Sequence, residues 1–135
     1  MTVDKNGVRP FAHSIRIDMV PPSLNKYLRM HWAVKKKLRW NYQHLLLLAL
    51  ADAVIDEPEK DNPPPKMRVQ INVHSKGATA RRLDIDNLYG SVKVLCDAMR
   101  DVGLIRNDSP RWLDLGVCEK REDGPFTILE FEEAK

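Results

Sequence analysis

This sequence has few cysteines, no long hydrophobic run and no internal repeat, and each absence excludes a class of protein. Its two cysteines, Cys96 and Cys118, have neither zinc-ligand spacing nor the number of a disulfide framework, so we expect buried free thiols. The longest apolar run, Leu45–Ala51, is far shorter than the roughly 20 residues that cross a bilayer. The N-terminus lacks the apolar core of a signal peptide, and we therefore expect a cytoplasmic protein without a membrane partner.

Length and composition are those of one globular domain. The chain has 135 residues, of which 43% are hydrophobic and 30% charged, and this length allows one core of ordinary size. The formal net charge of +3 permits a polyanionic partner such as DNA, but the positions of the charges matter more than their sum.

Hydrophobic periodicity predicts four strands and two main helices. Alternating apolar residues predict strands over 12–20 and 66–74, and two more over 112–119 and 126–131. Asp123-Gly124 is a hairpin signal between the last two strands. The order β-α-β-α-β-β predicts an α/β (α+β) fold, in which a single two-layer domain has a mixed sheet of about four strands.

A long helix is expected over residues 32–55, followed by a proline-rich loop over 56–65, and residues 1–10 are expected to form a loose polar tail. The apolar run Leu45–Ala51 makes the later turns of this helix apolar nearly all round. That stretch either faces the core or forms part of a dimer interface. The residues predicted near one helix face are Leu38, Tyr42, Leu45, Ala49 and Val54.

The stretch 81–88, RRLDIDNL, contains two carboxylates two residues apart. In an extended segment Asp84 and Asp86 share one face, and their repulsion is tolerated if a divalent cation lies between them or one is protonated. Oxygen ligands favour magnesium, manganese or calcium over zinc. The alternative is that Asp86 or Asn87 only caps the following helix.

The helix after this stretch has two candidate starts, Asn87 and Ser91. We prefer Ser91 as the cap, with 88–90 as a turn, because Gly90 inside a helix would cost roughly 1 kcal/mol. This start places Lys93 in the first turn, near Asp86.

A third acid, Asp108, follows this second helix, which is expected to end at Gly103. A helix of about 12 residues is about 18 Å long. Asp108 can therefore approach Asp86 only if the segment after the helix doubles back beside the second strand.

Residues 29–40, RMHWAVKKKLRW, interleave cations with tryptophans. Basic side chains gain affinity for DNA by displacing counterions from its phosphates, and tryptophan can stack on unpaired bases. The alternatives are a solvated helix face for the lysines and core packing for Trp32 and Trp40. Arg81 and Arg82 likewise either face substrate phosphates or are ordinary solvated charges.

Together, these motifs resemble the RusA family of Holliday junction resolvases. The resemblance rests on D-I-D-N-L at 84–88, on the later lysine, C-D-A-M, G-L-I and N-D, and on V-P-P-S-L-N at 20–25. It covers most of the chain, from about Ile15 to Phe131. It implies a small homodimer, phage-encoded in many members, that cuts four-way DNA junctions symmetrically with Mg2+ or Mn2+.

The resemblance also implies site residues. The metal-binding acids would be Asp84, Asp86 and Asp108, and the essential lysine would be Lys93, while Asp97 matches a further aspartate on the family's helix. The chain departs from the pattern twice. Lys93 lies seven residues after Asp86, where better-known members have four, and Asn107-Asp108 replaces a frequent Asp-Asp pair. The predicted DNA contacts are Asn25, Arg29, Lys35, Lys36, Lys37, Arg39, Arg81, Arg82 and Asn87.

The sequence therefore predicts a metal-dependent endonuclease that resolves Holliday junctions by phosphodiester hydrolysis, in recombination and repair or in phage DNA processing. Such hydrolysis requires an activated water and cations that neutralise the developing charge. One alternative is a catalytically inactive branched-DNA-binding module of the same fold. Another is a protein-interaction domain with no nucleic-acid partner.

Overall fold

The computed structural model describes residues 11–56, 58, 62–75, 89–120 and 122–134. These ranges leave out two predicted features. One is the tail over 1–10, and the other is the acidic stretch 81–88 with its predicted site residues. The elements are β1 (His13–Ile17), α1 (Leu24–Leu28), α2 (Trp32–Asp52), β2 (Met67–His74), α3 (Lys93–Asp101), β3 (Leu113–Lys120) and β4 (Phe126–Glu133). The predicted α+β class is confirmed, with α1 as an added short helix.

The strands form one mixed sheet in the order β1-β4-β2-β3. Strand β2 pairs in parallel with β3, whereas β4 runs antiparallel to both β1 and β2. The hairpin predicted at Asp123-Gly124 is wrong, because β2 lies between β3 and β4. The connection instead passes the end of β2, where the Gly124 N–H donates to the Ser75 carbonyl at 3.2 Å.

One hydrophobic core lies between the sheet and the helices. Alternate residues of β2, from Met67 to Val73, are buried on the same face, and buried residues of α2 and α3 join them in one cluster. Cys96 of α3 belongs to this core, and burial raises the pKa of its thiol to about 12, so it is protonated at neutral pH. Cys118 is free and only half-buried.

Helix α2 ends at Asp52, three residues before the predicted end, and Val54 has a positive φ and is 92% exposed. The prediction that Val54 lies on the buried face is therefore wrong. Leu45 is half-buried, and the buried positions of α2 are Leu38, Tyr42, Leu46, Ala49 and Leu50. Within the described ranges, no helix combines the length and the apolar character needed to cross a membrane.

The start of α3 differs from the predicted cap at Ser91. Residues 89–91 are already helical, and α3 begins at Lys93 with Val92 at its N-cap position, where a valine side chain cannot cap. Packing explains the difference, since a Cβ added to Gly90 would lie 2.7 Å from Cδ2 of Leu24 in α1. This close approach of α1 outweighs the local preference against a helical glycine.

Two glycines in the sheet region are expected to tolerate substitution differently. A Cβ on Gly124 would overlap the His74 carbonyl oxygen, which β2 holds in place, so Gly124→Ala should lower the free energy of unfolding by about 2 kcal/mol. A Cβ on Gly116 would overlap only the flexible end of Gln70, so Gly116→Ala should cost less than about 1 kcal/mol. Urea denaturation of both variants measures this, and equal losses would contradict the packing account.

Candidate functional site

The start of α3 brings a lysine between two aspartates from different parts of the chain. The Lys93 ammonium donates a hydrogen bond to the Asp108 carboxylate and lies 3.7 Å from Oδ1 of Asp97. Asp97 is one helical turn after Lys93, so the two side chains share a face of α3. Asp108 comes from the segment between α3 and β3 and reaches the same point from the other side.

Asp108 reaches this position because the chain reverses after α3. Gly103, at φ +87°, ends the helix, and Leu104 and Ile105 are buried against the core. A second turn follows, in which the Ser109 carbonyl accepts hydrogen bonds from the N–H groups of Trp112 and Leu113. Asp108 lies between these two anchored turns. The chain thus doubles back to the start of α3. Asp108 must return there if it is to act together with the predicted site residues at that end of the helix.

The Lys93–Asp108 pair changes the protonation of both groups in the expected direction. The hydrogen bond to Asp108 raises the pKa of Lys93, and the same bond lowers the pKa of Asp108, while partial burial opposes both shifts. The lysine is therefore cationic and the aspartate anionic at neutral pH. The Lys93 side chain remains 58% exposed, so its ammonium is accessible to an anionic ligand from solvent.

A second ion pair, absent from the predictions, joins α2 to the end of α3. The Arg39 guanidinium donates two hydrogen bonds to Asp101, at 2.5 and 2.6 Å, and Gln43 donates a third to the same carboxylate at 2.7 Å. Asp101 lies two turns after Lys93 on the same helix face. The spacing of four between Lys93, Asp97 and Asp101 was the available sequence signal for this stripe.

Arg39 therefore has a partner within the protein, and its predicted contact with DNA would compete with that ion pair. The pKa of Arg39 is raised mainly by the hydrogen bond to Asp101, with a further contribution from the charge of Asp97. Lys93, Asp97 and Asp101 form a row of charged side chains on α3, which we call the charged stripe. Arg39 connects this stripe to α2.

The chain from residue 19 to residue 51 carries six Lys or Arg residues and no Asp or Glu. It includes α1 and nearly all of α2. Among the predicted DNA contacts in it, Asn25, Arg29, Lys36 and Lys37 are exposed. Lys35 is half-buried, with its ammonium 4.8 Å from the centroid of the Tyr27 ring. We call this segment the basic segment.

The two tryptophans of α2 lie on the surface. Trp32 is 70% exposed and Trp40 is 56% exposed, so the alternative that they pack in the core is wrong. His31, which lies in the predicted basic stretch 29–40, is the N-cap of α2, because its Nδ1 accepts a hydrogen bond from the Ala33 N–H at 3.1 Å.

The donor atoms of this site suit a hard divalent cation, although the described residues contain only part of the predicted set. Among those residues, no three His, Cys, Asp or Glu side chains are placed to hold a metal together. Asp97 and Asp108 already face one cation, the Lys93 ammonium, and carboxylate oxygens are the ligands that Mg2+ and Mn2+ prefer. Asp84 and Asp86 would have to supply the remaining ligands, and they lie outside the described residues, as do Arg81, Arg82 and Asn87.

Comparison with models of known protein families gave no match, and no curated protein matches this chain. Function is therefore inferred from the residues of this site and their surroundings.

The Arg39–Asp101 pair is expected to stabilise the protein at neutral pH and to lose this effect in acid. Hydrogen bonding to Arg39 lowers the pKa of Asp101, so the stabilisation is present above the ordinary aspartate pKa of about 3.9 and is lost as pH falls through the lower folded value. Because both side chains are partly exposed, Asp101→Asn should cost only about 1 kcal/mol at pH 7.

Urea denaturation at pH 7 and at about pH 2.5 measures this difference. Arg39→Met should cost a similar amount at pH 7, and the double variant should cost little more than either single variant. Fully additive losses, or a cost of Asp101→Asn that persists in acid, would show that the pair does not couple the two helices.

Proposed function

We propose that this protein is a metal-dependent, structure-specific endonuclease that cuts branched DNA as a homodimer in the cytoplasm. The observation that carries the proposal is the convergence of Lys93 and Asp108 at the start of α3. These two residues are 15 positions apart along the chain, and the sequence predicts both as site residues. The basic segment contacts the other end of the same helix, where Arg39 donates to Asp101.

Lys93 and Asp108 have complementary roles in this proposal. Asp84, Asp86 and Asp108 would hold a divalent cation, Mg2+ or Mn2+. When bound, this cation would neutralise phosphate charge. Asp97 and Asp108 hold the Lys93 ammonium from two sides. The exposed ammonium can then stabilise the negative charge that develops on a phosphate oxygen during hydrolysis.

The basic segment supplies the surface for DNA. Arg29, Lys36 and Lys37 are exposed and have no acidic neighbour between residues 19 and 51, so their charges add to one positive field. Each phosphate contact releases counterions, so binding should weaken steeply as salt rises.

The second half of α2 is our candidate for the dimer interface. Leu48 is 63% exposed on this helix, whereas Leu46 of the same apolar run is fully buried in the core. Trp40 and His44 precede Leu48 on the exposed face, with ring centroids 4.1 Å apart. A two-fold contact along this face would give two active sites for the two opposed strands of a four-way junction.

The proposed reaction predicts a loss of cleavage without a loss of binding. A labelled four-way junction and a matched duplex are incubated with the protein, with and without Mg2+. The wild-type protein should nick only the junction, and only with Mg2+. Asp108→Asn and Lys93→Met should each lower the cleavage rate at least about 100-fold while junction binding persists, because each removes charge used in the transition state.

Glu122→Gln is the matched control, since Glu122 is an exposed carboxylate in the β3–β4 connection and should have no effect. Full cleavage by Asp108→Asn would refute the proposal. Junction binding without any Mg2+-dependent nicking by the wild-type protein would instead support the inactive binding module.

The dimer is tested by placing a charge on the exposed face of α2. Leu48→Lys should produce monomers in sedimentation velocity. Two-fold symmetry would bring the new lysine close to the same lysine of the second copy, and the two charges would repel each other. Val54→Lys is the control, since Val54 is exposed just beyond the helix and should leave the dimer intact. A folded Leu48→Lys protein that sediments like the wild type would exclude this face.

A further inference from the structure

We propose that Trp32 is a stacking platform for an unpaired base, through which the protein distinguishes branched DNA from continuous duplex. The inference rests on the proposed DNA partner and assigns one side chain to it. Trp32 is the first residue of α2 and is 70% exposed. An indole offers a large apolar surface, and leaving it in water is unfavourable unless a ligand covers it.

The three tryptophans of the chain differ in what covers their rings. Trp112 lies under two guanidinium groups, with Arg106 at 4.1 Å and Arg111 at 5.3 Å from its centroid. Trp40 packs against the edge of His44 at 4.1 Å. Trp32 has only the tilted His31 ring nearby among the described aromatic contacts, with centroids 5.5 Å apart. Its ring is therefore the one most available for stacking.

The charges around Trp32 favour a nucleic acid as the occupant. Lys35 and Lys36 are three and four residues later, on the next turn of the same helix face, and Arg29 is three residues earlier. An aromatic ring beside several cations matches a nucleotide, because the base stacks on the ring while phosphates meet the cations.

A second copy of the chain is a poorer occupant for this position. A two-fold contact centred on Trp32 would bring Arg29, Lys35 and Lys36 of both copies together. No acid between residues 19 and 51 could offset that repulsion locally. The apolar face near Leu48 is about 24 Å further along the helix, at 1.5 Å per residue, and residues 40–55 contain no Lys or Arg.

The helix start that carries Trp32 is ordered before any ligand arrives. His31 caps the helix through the Ala33 N–H at 3.1 Å, and Lys35 is held over the Tyr27 ring of α1. Ordering these groups in advance reduces the entropy lost on binding. Bases inside a duplex are covered on both faces by their neighbours. Only an unpaired base, or one at the point of strand exchange, can offer a free face to Trp32.

The experiment uses Trp40→Phe/Trp112→Phe protein, in which Trp32 is the only tryptophan. Its fluorescence is titrated in EDTA with a single-stranded oligothymidylate, a four-way junction and a relaxed, closed circular duplex, which has neither unpaired bases nor ends. We expect strong quenching by the first two DNAs and little by the duplex, since only stacking brings a base onto the indole.

In otherwise wild-type protein, Trp32→Leu should weaken binding of the single strand and the junction about 10-fold and leave duplex binding unchanged. Trp32→Phe should recover part of the loss. Lys36→Gln is the contrasting variant, because it should weaken binding of all three DNAs and reduce the salt slope by about one, whereas Trp32→Leu should keep the slope.

Bound single-stranded DNA that does not quench Trp32 would overturn the inference, as would an equal loss of duplex affinity in Trp32→Leu. Emission that changes with protein concentration in the absence of DNA would identify a second copy as the occupant and would also overturn it. All of these measurements are made without Mg2+. A protein that stacks DNA on Trp32 but never cuts a junction would refute only the nuclease, and a nuclease without quenching would refute only the stacking.

Discussion

The candidate site depends on one ion pair, between Lys93 at the start of α3 and Asp108 after its end. The two residues are separated by a whole helix, and they meet because Gly103, Leu104 and Ile105 turn the chain back along it. A chain reversal of this kind can bring a carboxylate close to a helix without forming a site. What makes it a candidate site is that Asp97 faces the same ammonium, so that two anions and one cation share a partly exposed space.

The charged stripe of α3 and the basic segment form one charged surface. Arg39 lies at their boundary and donates to Asp101, which also accepts a hydrogen bond from Gln43, so these contacts fix the position of one helix relative to the other. The exposed cations and Trp32 lie on the N-terminal side of this contact, while Trp40 and Leu48 are exposed on its C-terminal side. In the proposed function, the first half of α2 binds DNA and the second half binds a second copy of the chain.

The sequence predicted what local periodicity determines and missed what tertiary packing determines. The alternation of Met67, Val69, Ile71 and Val73 identified β2, and similar patterns identified the other strands. The Asp123-Gly124 signal was misleading, because the order of strands depends on which pairs bury the most surface and not on the turn. The cap at Ser91 was wrong because Leu24 packs on Gly90, a contact between residues far apart in the chain. In the site, the return of Asp108 toward Asp86 was left open, because helix length alone argued against it. The contact of Asp108 with Lys93 was not predicted, and the Arg39–Asp101 pair had no signal beyond spacing.

In the proposed function, Lys93 and Asp108 mark the position of a hard-cation site. Paramagnetic broadening by Mn2+ in amide NMR spectra tests it directly, since broadening falls steeply with distance from the bound ion and needs no DNA or catalysis. We expect substoichiometric Mn2+ to broaden the amides around Lys93, Asp97 and Asp108 first, while those at the other end of α3, near Arg100 and Gly103, broaden much less. Broadening centred elsewhere, or spread evenly over the surface acids, would contradict it.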